Sequence, residues 1–282
     1  MSTKRDGTAR KGAGSDDNAA LPFSSEFVPV PPFDRVPYFP RNWRARRGSS
    51  LAAVCVRLLL RLLSRLMPSH ELGAQAFVDG TRRLIQRSAR WMPKTPPGIA
   101  VEPFLIDGAL RAYWISAPGV SSHKAMLYLQ GGGYIAGAPT TTYADLLWRL
   151  SAASDCRVLA IEYGLAPEHR YPVASDQALR AWRFLLERYE PAALALGGDS
   201  AGGCLALSTA LRVRDLGLPL PAALCLVSPE TDLTGSGASA IYNRHRDFVI
   251  PAGSIRMIGE LYAAGASLEE PYVSPVFGSY ER

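Results

Sequence analysis

The 282-residue sequence is poor in the residues that build disulfide scaffolds and metal centres. It holds four cysteines, Cys55, Cys156, Cys204 and Cys225, with no Cys-x-x-Cys pair and no Cys/His cluster. That spacing argues against a zinc site and against a disulfide framework. Cys156, Cys204 and Cys225 sit in or beside apolar runs and read as small core residues, which fits a reduced, cytoplasmic compartment. Long apolar runs are scarce too. The first begins at Leu51, too far into the chain for the apolar region of a secretory signal. Arg57, Arg61 and Arg65 interrupt it, which makes it a poor spanning helix.

What is present is ordinary for a globular protein: 48% hydrophobic and 20% charged residues. The net charge of +6 is unevenly placed. Residues 1–92 hold sixteen Lys and Arg against seven Asp and Glu. The favoured reading of this basic end is a solvated tail and helix face, so no nucleic-acid partner is expected. Oligomeric state has no signal.

Three regions are expected. Residues 1–22, rich in Gly, Ser, Asp, Lys and Arg, read as a disordered tail. Residues 23–92 hold a proline-rich segment, with Pro29, Pro31, Pro32, Pro37 and Pro40, and then two helices. In the first, Leu51–Met67, the three arginines are spaced by four and form one stripe. The second runs from about Glu71 to Arg90. They read as a cap on the main domain. Weak membrane-surface contact through 51–67 is the competing use.

Residues 93–282 alternate strands and helices. Val101–Ile106 and Arg111–Ile115 pair around Asp107-Gly108. Ala125–Leu129, Arg157–Tyr163, Ala192–Leu196 and Ala222–Val227 read as buried strands. Helices are expected at Tyr143–Ala153, from an N-cap at Ser175 to about Tyr189, and at Ser200–Leu216, ended by Gly217. This order implies an α/β fold, a mostly parallel sheet flanked by helices.

Two motifs carry chemistry. Gly198-Asp199-Ser200-Ala201-Gly202 follows an apolar strand and opens a helix, the setting of a nucleophile elbow, with Ser200 projecting above the sheet. A trypsin-like reading would want histidine in an Ala-His-Cys setting, and His123 stands between Ser122 and Lys124. Gln130-Gly131-Gly132-Gly133 follows a strand and can aim backbone N–H groups at an oxyanion. A dinucleotide fingerprint through Gly131, Gly133 and Ala136 would want an acid about 20 positions on, whereas Glu162 comes later. No cofactor and no metal are expected.

These motifs, with Tyr163-Gly164-Leu165-Ala166-Pro167-Glu168 and Ser228-Pro229-Glu230-Thr231-Asp232-Leu233 between and after them, resemble the hormone-sensitive-lipase-like esterases of the α/β-hydrolase fold. That family reads His-Gly-Gly-Gly, Tyr-x-Leu-Ala-Pro-Glu, Gly-Asp-Ser-Ala-Gly-Gly and Ser-Pro-Trp-Thr-Asp-Leu. Tyr272-Val273-Ser274-Pro275 is similar to the stretch before its seventh strand. The resemblance implies a carboxylic ester hydrolase for short- to medium-chain acyl esters. Ser200 would be the nucleophile, and Gly132, Gly133 and Ala201 the oxyanion hole. Gln130, Gly131, Asp199 and Glu168 would support the loops, and His169 would be structural. The alternative is a catalytically inactive small-molecule-binding relative.

Two departures stand out. Gln130 replaces the family's histidine, with donors and an acceptor that can still hold the loop. The family's acid and histidine lie after its seventh and eighth strands, whereas the last histidine here is His245 and the last residue Arg282. On the resemblance, roughly 60 residues in two units would be missing, at about 30 per unit. The expectation is impaired turnover and an exposed apolar edge at Ala222–Val227.

Overall fold

The computed structural model describes residues 73–238, 240, 250 and 253–280. All of them lie in one compact unit, Val54–Arg282. The tail at 1–22, the helix expected at Leu51–Met67, Cys55 and His245 lie outside the described residues.

The second expected helix is present as α1, Ala74–Ser88, with Phe77 and Val78 buried. The hairpin follows as β1 (Ala100–Ile106) and β2 (Leu110–Ser116). Its turn residues Asp107 and Gly108 both take positive φ, the backbone that matches the twist of the two strands. Then come β3 (Ala125–Leu129), α2 (Ala144–Ser154), β4 (Arg157–Ile161) and α3 (Val173–Leu186). The chain continues through β5 (Leu194–Asp199), α4 (Ser200–Asp215), β6 (Ala223–Val227) and α5 (Ser254–Ala263).

Among the described residues these strands form one mixed sheet in the order β1-β2-β4-β3-β5-β6. The β1–β2 and β2–β4 ladders are antiparallel, and the other three are parallel. Every residue of β3 is buried, as a strand with helices on both faces requires. The main core runs between the sheet, α3 and α4, through Leu127, Leu159, Trp182, Leu196 and Leu205. β6 forms one edge, where Leu224 and Val227 are exposed.

Two local expectations are corrected. Ser175 does not cap α3. The helix starts earlier, at Val173, with Pro172 as its N-cap. Ser175 is buried in its first turn, and its hydroxyl accepts a hydrogen bond from Arg212 Nη1 at 2.7 Å. The strand expected from Ala192 begins instead at Leu194, because Pro191–Ala193 forms a single 3-10 turn. At the other helix ends the reading holds: α4 stops at Asp215 and Gly217 follows with φ 65°.

Candidate active site

Strand register builds the site. Leu129 of β3 pairs with Gly198 of β5, so the glycine loop after β3 and the turn after β5 leave the sheet side by side. Asp199 pairs with Val227, which brings Ser228 and its loop to the other flank of the same turn. The positions are the carboxyl ends of parallel strands, where open α/β sheets bind ligands.

The turn is sterically tight. Ser200 has φ 50°, a left-handed conformation that costs an ordinary residue about 1–2 kcal/mol. A Cβ on Gly198 would collide with the Gly202 carbonyl oxygen, and one on Gly202 with the carbonyl oxygens of Leu129 and Gln130. Glycine at both positions lets α4 start directly behind the strand, with Ser200 as its first residue.

The loop Gln130–Tyr134 curls on itself. The N–H groups of Ile135 and Ala136 both donate to the Gly132 carbonyl at 3.1 Å. Gly132 and Gly133 have φ 120° and 60°. Their own N–H groups have no partner among the described residues. The Ala201 N–H lies in the first turn of α4, where a helix leaves its amides unpaired. Free donors therefore stand on the β3 side of Ser200.

Asp199 ties the loop to the elbow. Its Oδ1 accepts from the Gly131 N–H at 3.1 Å and from Tyr128 Oη at 3.1 Å. Its Oδ2 accepts from Tyr143 Oη at 2.6 Å. Burial, then Asp199, raises the pKa of both tyrosines, so they stay protonated and donating. A carboxylate suits three converging donors because it only accepts. Asp199→Ala would strand a buried amide and two phenols. It is expected to cost about 3 kcal/mol, read as a lower urea midpoint.

Gln130 behaves differently from the expectation that its side chain holds the loop. It is 2% exposed, and its Oε1 has no hydrogen-bond partner among the described residues. The loop is held instead through the Gln130 carbonyl, which accepts from Tyr163 Oη at 2.6 Å. The amide branches as the family's imidazole does not, and one end of it is left over.

Glu168 has a specific partner that sequence spacing could not supply. Arg82 of α1 meets it with Nη1 and Nη2, both at 2.7 Å. The same guanidinium donates to the carbonyls of Ile135 at 2.8 Å and Ala166 at 2.9 Å. Arg82 therefore pins α1 to the glycine loop and to the Tyr163–Glu168 segment at once. These hydrogen bonds hold the Glu168 carboxyl down at about 2. A carboxyl lowered in the fold stabilises it above its usual pKa, and that contribution fades as pH falls toward 2. The pair is half-exposed, so this part is worth under about 1 kcal/mol. Arg82→Ala also strands two carbonyls. It is expected to cost about 2 kcal/mol in total at pH 7, and less at pH 3, by thermal melting.

α5 covers the loop from above. Tyr134 and Tyr262 stack with centroids 3.8 Å apart, and Ile258 sits where a Gly133 side chain would go. The Tyr262 hydroxyl is buried without a partner among the described residues, so Tyr262→Phe is expected to be neutral or stabilising by up to about 1 kcal/mol in a thermal melt.

Two clefts adjoin the loop and share Arg82, Gly137, Ala138 and Leu165. One, of about 460 Å³, is largely apolar and includes Ile85, Ala89 and Ala136. The other, of about 510 Å³, is the more polar of the two and includes Gln130, Glu162, Glu168 and His169. Ser200 lines neither. No described histidine stands at the serine: His169 belongs to the polar cleft, and His123 precedes β3 at the opposite end of the sheet. Among the described residues there is no cluster of potential metal ligands. No described helix is long and apolar enough to cross a membrane.

Residues 126–282 match the family described as the alpha/beta hydrolase fold. The acetyl-hydrolase of Streptomyces hygroscopicus is 36% identical over 184 residues, 65% of this chain and 60% of that protein. The ethyl acetate hydrolase of Pseudomonas putida is 35% identical over 162 residues, 55% of this chain and 50% of that protein. The chain thus spans about half to three fifths of the length of these relatives. A crystal structure of a bacterial hormone-sensitive lipase family esterase superposes with a TM-score of 0.67 at 36% identity, covering 71% of this chain and 67% of that one. EstE5, soaked with p-nitrophenyl butyrate, gives 0.70 at 34% identity, covering 80% and 73%. A family match over more than half of the chain, together with superposition at 36% identity on a hormone-sensitive lipase family esterase, places it: the chain belongs to the α/β-hydrolase-fold family, among its hormone-sensitive-lipase-like esterases.

Proposed function

We propose that the protein is a carboxylic ester hydrolase that works through an acyl-enzyme on Ser200. The observation that carries this reading is the pairing of a left-handed Ser200 with unpaired N–H groups at Gly132 and Gly133 and the first-turn amide of Ala201. A nucleophile on one side and free donors on the other are what acyl transfer demands. Ser200 attacks the ester carbonyl carbon, and the developing oxyanion takes hydrogen bonds from the three amides. Asp199 and the Tyr163 hydroxyl keep the glycine loop in register with the serine. Gly131 has no room for a side chain, because a Cβ there would lie 2.6 Å from Asp199 Oδ2.

The substrates are small esters with short- to medium-chain acyl groups. Support comes from the names of the two hydrolases above. Arg82 and Glu168 act as loop supports. The free thiols of Cys156, Cys204 and Cys225 support a cytoplasmic setting. The test is covalent labelling of the whole protein with a fluorophosphonate, followed by peptide mapping. Label on Ser200 together with hydrolysis of p-nitrophenyl butyrate supports an esterase. An unlabelled Ser200 in a folded protein leaves the small-molecule-binding reading.

A further inference from the structure

A chain of hydrogen bonds runs from α1 to the glycine loop and ends on one of its free donors. Arg82 Nε donates to the Ile135 carbonyl at 2.8 Å. That carbonyl shares its peptide group with the Ala136 N–H, which donates to the Gly132 carbonyl at 3.1 Å. The Gly132 carbonyl in turn shares its peptide group with the Gly133 N–H, which has no partner among the described residues. Two planar peptide groups therefore stand in series between a guanidinium and an oxyanion donor. A second branch joins at the same carbonyl. The His169 N–H donates to the Leu165 carbonyl at 2.8 Å, the Ala166 N–H to the Tyr134 carbonyl at 2.8 Å, and the Ile135 N–H to the Gly132 carbonyl at 3.1 Å. Of the two branches, the one from Arg82 begins at a full charge.

We propose that Arg82 is a positioning residue for the Gly133 oxyanion donor, acting through the Ile135–Ala136 and Gly132–Gly133 peptide groups. The proposal rests on the esterase reading above and deepens it. Because a peptide group is planar, fixing the direction of its carbonyl fixes the direction of its N–H. The loop needs such an external brace. Gly132 and Gly133 stand at φ 120° and 60°, and neither has a side chain to hold it there. Polarisation acts in the same sense as orientation. A carbonyl that accepts a hydrogen bond leaves the N–H of its peptide group a stronger donor, by about 10–30% per bond, and the Gly132 carbonyl accepts two.

Arg82 is itself held on three sides. Its Nη1 and Nη2 meet the Glu168 carboxylate at 2.7 Å, and Nη2 also reaches the Ala166 carbonyl at 2.9 Å. Glu168 raises the pKa of the guanidinium, so the cation persists across the working pH range. The Ala166 carbonyl precedes Pro167, which has no N–H, so that contact anchors Arg82 and relays nothing. The effect belongs to the transition state. Gly133 meets a weakly polar ester oxygen before attack and a full negative charge in the tetrahedral intermediate, so a well-aimed donor raises kcat more than it lowers KM.

The test compares wild type, Arg82→Met and Arg82→Lys in the full chain, with every rate taken per folded molecule. Arg82→Met is expected to lower kcat for p-nitrophenyl butyrate about tenfold, less than the loss of a whole donor, with KM within about twofold. Affinity for butaneboronic acid, whose tetrahedral adduct on Ser200 presents an oxygen to the donors, should fall by the same factor. Arg82→Lys, which keeps a cation and loses the fork, should recover part of both. In proton–nitrogen correlation spectra the Gly133 amide proton should move upfield in both variants, while that of Gly217 stays in place. Wild-type kcat and boronate affinity in Arg82→Met overturn the proposal, and so does a rise in KM alone. If Arg82→Met does not fold, Arg82→Lys decides: an unmoved Gly133 amide proton there overturns the proposal as well. A wild type without Ser200-dependent turnover sinks the esterase reading, whereas the Gly133 amide shift still decides whether Arg82 governs that donor.

Discussion

Replacing Ser200 with alanine is expected to lower kcat for p-nitrophenyl butyrate by up to about 10⁶, leaving only what the amide donors and binding contribute. The size follows from the role proposed for the hydroxyl: without it no acyl-enzyme forms, and water must attack directly. The strain at this residue provides a second, independent check. Ser200 sits at φ 50°, where a side chain is disfavoured and glycine is not. Ser200→Gly should therefore lose the same activity while remaining about as stable as wild type, because relief of the left-handed strain offsets the entropy of a glycine in a helix. A nucleophile whose removal abolishes turnover without unfolding the protein is the signature of a strained functional residue. If Ser200→Ala retains more than a few per cent of the wild-type rate, hydrolysis occurs elsewhere.

Gly202→Ala should act the opposite way, through the fold. The added Cβ would overlap the carbonyl oxygens of Leu129 and Gln130, both backbone atoms at the end of a fully buried strand. Neither can swing aside as a side-chain tip would. Relief requires α4 to back away from β3, and that shift would pull the elbow off the glycine loop. A loss of at least about 3 kcal/mol is expected, seen as a lower urea midpoint with an unchanged slope. Activity should fall together with stability. Gly217→Ala makes a useful contrast: nothing lies within 4 Å of its Cβ position, so only the positive φ is penalised, at about 1 kcal/mol.

Much of this fold was legible because its signals are local. β3 is a short apolar run bounded by polar residues, and the read boundaries match those observed. The Asp107-Gly108 turn and the Gly217 helix stop are set by single-residue backbone preferences. The elbow is likewise a matter of spacing, since two glycines around a serine are needed wherever a helix starts hard behind a strand. Ser175 was misread for the same reason: as a serine it suits a cap, but the helix starts earlier, at Val173, and burial then gives the hydroxyl to Arg212.

The partnerships at the site were not legible. Arg82 and Glu168 are separated by 86 positions, and Tyr143 and Asp199 by 56. Nothing in one segment marks the other, because the pairing depends on how α1 and α2 pack over the sheet ends. Asp199 could be read as a loop support, while the donors that make it one could not. Gln130 could be read as a polar substitute, yet only packing shows that its Oε1 has no partner among the described residues and that the backbone does the holding.

Ser200 was thus determined by sequence alone as an elbow residue, since conformational preference and steric exclusion act within a few positions of the chain. Which side of it meets the glycine loop and which side meets the loop after β6 was decided by the order β3-β5-β6. That order arises when remote strands pair, and pairing sets what each of these segments is packed against. Charge and burial are properties of surroundings, so the chemistry of the site became readable only once the sheet was assembled.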